Sequence, residues 1–372
     1  MQSVYSPQTV LVTRPLKQNA DGTAKLALNL ASNLTDRHFV MFAEEILPDP
    51  PRNITFINVK QSGGWYTFFE QRRHIWNYLK STERKDIIHF LYTPNRISGF
   101  AISRWLKSIK NHLKIATITS EPKSISMVSQ LQPFDRIIVP TRTMKTQITA
   151  VLEKPVSIIP PGVILDNRNT MITRKTLRRL LAMDDGFYCL CPSDFSDPGF
   201  SNLLSMIIPE LITTQPKLRI VMANRAKVAS DHHAESQLKT LASNNQQKIV
   251  YIGETNQIHK WLQASDLIIF PAVTLRNKLI PPMILLEAIT LGTPFLAFNL
   301  PHLNDCFDDV SDILIPLGDH EKFIDRVVEV SNNPQLLTKI QSRQEKMVKS
   351  KFSALKIAEQ YERIYTHESI PF

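Results

Sequence analysis

The sequence predicts an α/β protein made of two similar halves, each a parallel sheet flanked by helices. Three observations carry this. Short β-branched apolar runs alternate with segments of helical spacing from end to end. The alternation halts at a polar stretch near residue 165 and then restarts. The stretch Ala264–Phe298 holds a complete unit of strand, loop, helix and strand. Such alternation marks parallel sheets, because parallel strands need a crossover between them. A chain of 372 residues, 43% hydrophobic and 21% charged, has room for both halves.

In the first half, strands are expected at Thr9–Thr13, Phe39–Phe42, Ile54–Val59, Ile87–Leu91, Ile115–Ile118 and Arg136–Val139. Helices are expected at Gly22–Leu34, where Leu26, Leu30 and Leu34 share a face, and at Phe68–Lys80, Ile97–Asn111, Ser124–Gln130 and Thr143–Leu152. Ile158-Ile-Pro-Pro-Gly-Val163 closes this half, and the polar, proline-free Leu165–Arg174 reads as a linker. The second half then predicts strands at Phe187–Cys191, Leu218–Met222, Lys248–Ile252, a run ending at Phe270, Pro294–Phe298 and Ile313–Pro316. Helices fall at Phe200–Thr213, His233–Ser243, Gln257–Gln263, near Asp319–Val330, at Pro334–Ser350 and at Ser353–His367. The domain boundaries are therefore placed at 1–164, 165–175 and 176–350, with a C-terminal helix in 351–372 that can pack back on the first domain. Two αβ halves joined by a linker leave a cleft where a ligand can bind.

Bulk properties narrow the partners. The net charge of +10 points to an anion: a nucleotide phosphate, a nucleic acid or an anionic membrane face. Cys189, Cys191 and Cys306 make no even disulfide framework, and Cys189-Leu-Cys191 lies in an apolar run, so buried structural thiols in a reducing cytosol are expected. No basic segment followed by a long apolar one opens the chain, and no window of eighteen uninterrupted apolar residues occurs. A cytoplasmic protein with at most peripheral membrane contact is expected. Asn33-Leu-Thr35 and Asn53-Ile-Thr55 match the glycosylation sequon, by chance in such a compartment.

The helix of the central stretch carries the clearest chemistry. Pro281 and Pro282 open it, where a missing amide is harmless, and Gly292 closes it with Pro294 beyond. Met283, Leu286, Ile289 and Thr290 cover one face, and Glu287 is expected near the helix start at the open end of a strand-helix unit. A carboxylate there can accept two hydrogen bonds from one vicinal diol, such as a ribose or a sugar offers.

Several segments resemble the large nucleotide-sugar-dependent glycosyltransferase family 4, also called glycosyl transferases group 1. Ala264-Ser-Asp-Leu-Ile-Ile-Phe-Pro271 and Leu286-Glu-Ala-Ile-Thr-Leu-Gly-Thr-Pro294 are similar to the family's strand and its LLEAMALGTPV helix. Asp135-Arg-Ile-Ile-Val-Pro-Thr141, Ile158-Ile-Pro-Pro-Gly-Val163 and Asp86-Ile-Ile-His89 resemble further family segments, in the family's order. The resemblance implies the GT-B fold, two facing Rossmann-like domains with an interdomain cleft. It further implies retaining transfer of a hexose from a nucleotide diphosphate sugar, held mostly by the second domain, to an acceptor (glycan, lipid-linked or small molecule) on the first. Glu287 then matches the second Glu of the family's paired motif, which holds the donor ribose. Asp21-Gly22 sits where the family places a glycine loop beside the donor phosphates, and a glycine at a helix N-terminus does let amides approach an anion. A simple turn explains Gly22 equally well.

The chain also departs from the pattern. The first Glu of the pair falls at Leu279; the diphosphate-binding Arg and Lys fall at Ser193 and Pro198, with Asp194 and Asp197 nearby; and a first-domain His is replaced by Thr119 or Ser120. Two charge-assisted hydrogen bonds contribute roughly 3–6 kcal/mol together, so an active enzyme must replace them. Arg225 and Lys227 after one strand, and Arg276 and Lys278 before the Glu287 helix, are the candidate replacements; solvated surface charge is the plainer account of each alone. A protein that kept the fold as a binding or scaffold module is the alternative reading.

Other residues complete the expectations. His89, read at the end of an apolar strand, can face donor or acceptor or be a satisfied core histidine. His232-His233 lacks further ligands at metal spacing and reads as surface, and Asp184-Asp185 and Asp308-Asp309 read as turn or cap residues. No metal and no resident cofactor are expected. Basic stretches Gln71-Arg-Arg-His-Ile-Trp76, Lys80–Lys85 and Arg104-Trp-Leu-Lys-Ser-Ile-Lys110 read as solvated amphipathic faces, or as a patch for an anionic membrane with Trp76 and Trp105 at the interface. Nucleic acid is ranked below both, because no recognition module is visible.

Overall fold

The computed structural model describes residues 8–13, 16, 22–45, 50–59, 73–74, 77, 86–110, 112–165, 172–195, 200–226 and 231–366. The chain divides into two units: Met1–Ile164 with Lys278–Ile280 and Ser353–Phe372, and Leu165–Asn277 with Pro281–Phe352.

The first unit is a parallel sheet in the order β3-β2-β1-β4-β5-β6-β7. Its strands are β1 (Thr9–Val12), β2 (Phe39–Ala43), β3 (Ile54–Asn58), β4 (Ile87–Tyr92), β5 (Leu113–Ile118), β6 (Arg136–Val139) and β7 (Val156–Ile158). Helix α1 (Gly22–Asn33) buries Ala24, Leu26, Ala27, Leu30 and Ala31, the stripe its leucine spacing foretold. Its C-terminal carbonyls are closed by a distant side chain: the Asn53 amide donates to the carbonyls of Ala31, Leu34 and Arg37 at 2.8, 3.0 and 3.1 Å. Helix α2 (Arg96–Leu106), the short α3 (Ile125–Val128) and α4 (Arg142–Thr149) follow. Thr141 caps α4, accepting from the Met144 amide at 3.2 Å. The expected helix Phe68–Lys80 lies mostly outside the described residues, with Arg73, His74 and Asn77 helical.

The last helix of the chain belongs to this unit. Arg37 grips Glu362 with a two-pronged contact at 2.8 and 2.5 Å, and its guanidinium lies 5.0 Å above the Tyr365 ring. Where that helix begins, at Ala354, the chain must pass close to Gly162: a Cβ on Gly162 would stand 2.7 Å from the Ala354 Cα. The glycine of the Ile-Pro-Pro-Gly-Val segment is thus an approach point for the backbone, sealed by the Ala354 amide donating to the Val163 carbonyl at 2.9 Å.

His89 is the satisfied core histidine of the two readings left open above, and not a residue facing a ligand. The strand runs on to Tyr92, so His89 sits mid-sheet, in register with Leu11 and Ile115, and is fully buried. Its Nδ1 lies 2.7 Å from the Tyr365 hydroxyl and its Nε2 2.8 Å from the Thr117 hydroxyl, which also meets Tyr361 at 3.2 Å. Both ring nitrogens are therefore used. Trp105 is likewise buried, packed edge-on against Phe90 at 6.1 Å between ring centres, so it is no interfacial anchor. Trp76 lies outside the described residues.

The second unit is a parallel sheet in the order β10-β9-β8-β11-β12-β13. These are β8 (Phe187–Asp194), β9 (Leu218–Arg225), β10 (Ile249–Tyr251), β11 (Leu267–Phe270), β12 (Phe295–Phe298) and β13 (Leu314–Ile315). Helices α5 (Arg174–Leu180), α6 (Phe200–Thr214), α7 (Asp231–Asn244), α8 (Ile258–Ala264), α9 (Met283–Thr290), α10 (Pro301–Phe307), α11 (His320–Asn332) and α12 (Pro334–Lys351) belong to this unit; α13 (Ala354–Tyr365) is the last helix described above. Helix α5 begins inside the stretch read as linker, because the Thr173 hydroxyl caps it by accepting from the Thr176 amide at 3.2 Å.

Asp266 of the Ala-Ser-Asp segment holds the amino end of this sheet together. It accepts from Arg178 at 2.5 Å, from Arg174 at 3.5 Å and from the Tyr188 amide at 2.8 Å. Gly292 of the Leu-Gly-Thr-Pro segment closes α9 with φ +78°, the Gly292 amide donating to Ile289 and the Thr293 amide to Ala288 at 3.0 and 2.9 Å. That is a left-handed C-terminal cap, which any side chain strains. Cys189 and Cys191 are buried on β8, and burial raises both thiol pKa values. Among the described residues no helix is long and apolar enough to cross a membrane.

Candidate functional site

Both sheets fan out from their first strand. In the second unit the chain goes from β8 to β9 and β10 on one side, then crosses back to β11, β12 and β13 on the other. Connections leaving β8 and β11 therefore diverge, and the carboxyl ends of these neighbours are the place where such sheets bind ligands. β11 leads through Pro271–Pro282 into α9, which carries Glu287.

Pro282 has φ −56° and ψ 123° and stands as the cap, so α9 starts at Met283 and Glu287 occupies its second turn rather than its start. Met283, Leu285, Leu286, Ala288 and Ile289 are buried around it. The Glu287 side chain keeps 14% exposure, with Oε2 lying 3.4 Å from Nε2 of His259. His259 comes from α8 and was not foreseen; only the packing of α8 beside α9 brings it there. A carboxylate has about four acceptor positions, the chemistry that a diol requires.

Asn224 is the second unforeseen residue at this edge. It sits at the carboxyl end of β9, in register with Ser193 of β8, and is 1% exposed. Neither polar atom of its amide has a hydrogen-bond partner. Burying an unpaired amide costs about 1–3 kcal/mol, so the group calls for an explanation. An Asn in the apolar run Ile220-Val-Met-Ala-Asn224 is itself unusual for a strand, and that was the available signal.

The remaining expected donor ligands divide between the units. Arg225 ends β9, and Arg276 is exposed in the loop before α9, its amide held by the Thr274 hydroxyl at 3.2 Å. Asn277 next to it has φ +58°. Lys278 instead belongs to the first unit with Leu279 and Ile280. There Leu279 packs against the apolar cluster built around Leu11, Leu26 and Tyr361, and the Ile280 amide donates to the Thr119 carbonyl at 3.1 Å. The position where the family carries a carboxylate thus anchors a loop in a hydrophobic core. Asp21, Lys227, Asp197 and Pro198 lie outside the described residues.

In the first unit the corresponding switch lies between β1 and β4. Gly22 opens α1 after β1, and three hydroxyls gather after β4 and β5. Thr93 Oγ1 is 2.6 Å from Ser120 Oγ and 3.4 Å from Thr119 Oγ1, and it accepts from the Ser120 amide at 2.9 Å. Ser120 is therefore held in a hydroxyl cluster at the carboxyl end of the sheet and is buried. Among the described residues no group of three His, Cys, Asp or Glu could hold a metal ion.

The sequence model of the family described as glycosyl transferases group 1 matches residues 188–333. Solved structures match the chain along its length. Anabaena HepE in complex with UDP and glucose is 12% identical with a TM-score of 0.73, covering 97% of this chain and 100% of that one. Sucrose-phosphate synthase from Thermosynechococcus elongatus is 14% identical with a TM-score of 0.76, covering 98% and 99%. A glycosyltransferase from Rickettsia africae is 15% identical with a TM-score of 0.72, covering 98% and 99%. No curated protein matches in sequence. The chain has the GT-B fold, and its residues 188–333 match the sequence model of glycosyl transferases group 1.

Proposed function

We propose that the protein is a retaining glycosyltransferase that takes a hexose from a nucleotide diphosphate sugar and passes it to a hydroxyl acceptor. The observation that carries this is Glu287: a carboxylate on the helix that follows the strand beside the switch point, inside the domain that matches the family. Structural neighbours bound to UDP and UDP-glucose make a uridine donor the first to test.

In this reading Glu287 accepts hydrogen bonds from the two ribose hydroxyls, oriented by His259. Asn224 offers its unpaired amide to the same ligand, which relieves the cost of burying it. The departing diphosphate is stabilised by Arg225, Arg276 and backbone amides at the carboxyl edge, which stand in for the Arg and Lys replaced by Ser193 and Pro198. On the first unit, Gly22 at the α1 N-terminus and Lys278 also serve the donor phosphates, and the hydroxyls of Thr93, Thr119 and Ser120 receive the acceptor side. No protein nucleophile or metal takes part. Three buried, unpaired cysteines suit the reducing cytoplasm.

Calorimetry with UDP-, GDP- and ADP-sugars tests the proposal. Binding of one nucleotide class at micromolar to submillimolar concentration is expected. Failure of all three at millimolar concentration would overturn it in favour of a binding or scaffold role.

A further inference from the structure

We infer that the first unit docks on an anionic lipid surface through the outer face of α2 and the tip of α3, a step that is independent of the donor site. The charge distribution is the first ground. Residues 72–145 contain 14 Lys and Arg against 4 Asp and Glu, so this fifth of the chain holds an excess equal to the whole net charge of +10. The acids among the described residues of this stretch point inward or are engaged. Asp86 is fully buried, Asp135 accepts from the Lys114 amide at 2.8 Å, and Glu121 accepts from Gln147 at 2.8 Å. Residues 87–120 have no Asp or Glu at all.

Apolar exposure at the same place is the second ground. On α2 the buried side consists of Gly99, Ile102, Trp105 and Leu106, continued by Ile109. Steps of about 100° per residue place Phe100, Arg104 and the following Lys107 together on the opposite side. Phe100 is 61% exposed there, and Arg104, Lys107 and Lys110 are exposed with it. The adjoining α3 presents Ile125, 73% exposed, next to exposed Lys123. Large apolar side chains ringed by Lys and Arg are what an interfacial lipid contact requires: the cations meet headgroups and the apolar groups enter the acyl boundary. A nucleic acid would meet the charge equally well and would leave Phe100 and Ile125 unused.

Vesicle co-sedimentation of the full chain tests this, comparing phosphatidylcholine alone with phosphatidylcholine mixed with phosphatidylglycerol. The expected result is binding to the anionic vesicles, weakened by salt. Each Lys or Arg near the surface contributes about fivefold, so Arg104→Glu with Lys107→Glu is expected to weaken binding by about 25-fold or more. Phe100→Ser with Ile125→Ser is expected to weaken it by about tenfold or more while preserving the salt dependence. These residues are exposed, and circular dichroism checks that the variants fold. Equal binding to both vesicle types, no binding, unchanged binding by both double variants, or binding to a short RNA but not to vesicles would each overturn the inference. Nucleotide-sugar affinity measured on the same variants stays unchanged, which separates this test from that of the donor site.

Discussion

The buried His89 makes the stability of the first unit depend on pH in a defined direction. Burial lowers its pKa from 6.5 to about 3, and both ring nitrogens are already engaged by Tyr365 and Thr117. The folded pKa lies below the unfolded one, so at pH values between them the unfolded chain binds the proton and the folded chain does not. Stability contributed by neutral His89 is complete above pH 6.5 and is lost as pH falls toward 3. The slope approaches about 1.4 kcal/mol per pH unit, so the loss between pH 7.5 and 4.5 is about 2–3 kcal/mol. Other groups titrate too, and His89→Gln removes the term while keeping polar atoms in place. In a Trp261→Phe background the other three tryptophans, Trp65, Trp76 and Trp105, all belong to the first unit, so urea unfolding followed by fluorescence reports on it. The stability difference, wild type minus His89→Gln, is expected to shrink by about 2–3 kcal/mol from pH 7.5 to 4.5. A difference that is flat with pH, or that grows on acidification, would refute the reasoning.

Three further outcomes follow from the geometry. Asp266→Ala removes the carboxylate partner of Arg174 and Arg178, which keep only uncharged acceptors, and the side-chain acceptor of the Tyr188 amide; it is expected to destabilise the second unit by about 2–4 kcal/mol, read from Trp261 fluorescence in urea. Gly162→Val drives a Cβ to within 2.7 Å of the Ala354 backbone; a loss of about 2–3 kcal/mol is expected, seen as lost hydrogen-exchange protection in Ala354–Tyr365. Arg276→Ala, at an exposed loop position, should change stability by less than about 0.5 kcal/mol yet weaken a nucleotide sugar by up to about tenfold in calorimetry.

The alternation of strands and helices was legible because each element carries its own period. β6 falls at Arg136–Val139 as read, and α1 buries the leucine stripe that announced it. Some short elements were not legible, although β10, β13 and α3 were read. α10 spans Pro301–Phe307 and β7 spans Val156–Ile158, too few residues for a period to show. The recurring segments Ala-Ser-Asp, Leu-Gly-Thr-Pro and Pro-Pro-Gly-Val proved to be architectural: Asp266 clamps a sheet end, Gly292 caps a helix and Gly162 admits the last helix. They reveal the fold for that reason and say little about chemistry.

The candidate site was legible only where one residue's position depends on one strand-helix unit, as with Glu287. His259 and Asn224 reach the same edge from other strands and helices, and no local spacing announces them. The choice between the two readings of His89 was not legible because its partners, Tyr361 and Tyr365, lie more than 270 residues downstream on a helix whose docking the sequence does not encode locally. Leu279 shows the reverse case: its departure from the family pattern was visible, and its hydrophobic anchorage explains why no carboxylate stands there.

The claim at the centre of this account is that Glu287 holds the ribose of a nucleotide donor. A thermodynamic cycle tests it most directly, with UDP and 2′-deoxy-UDP titrated into wild type and Glu287→Ala. A charge-assisted hydrogen bond contributes roughly 1.5–3 kcal/mol, so losing the 2′-hydroxyl should cost the wild type about 10- to 150-fold in affinity and the variant almost nothing. Equal losses in both proteins would contradict the assignment.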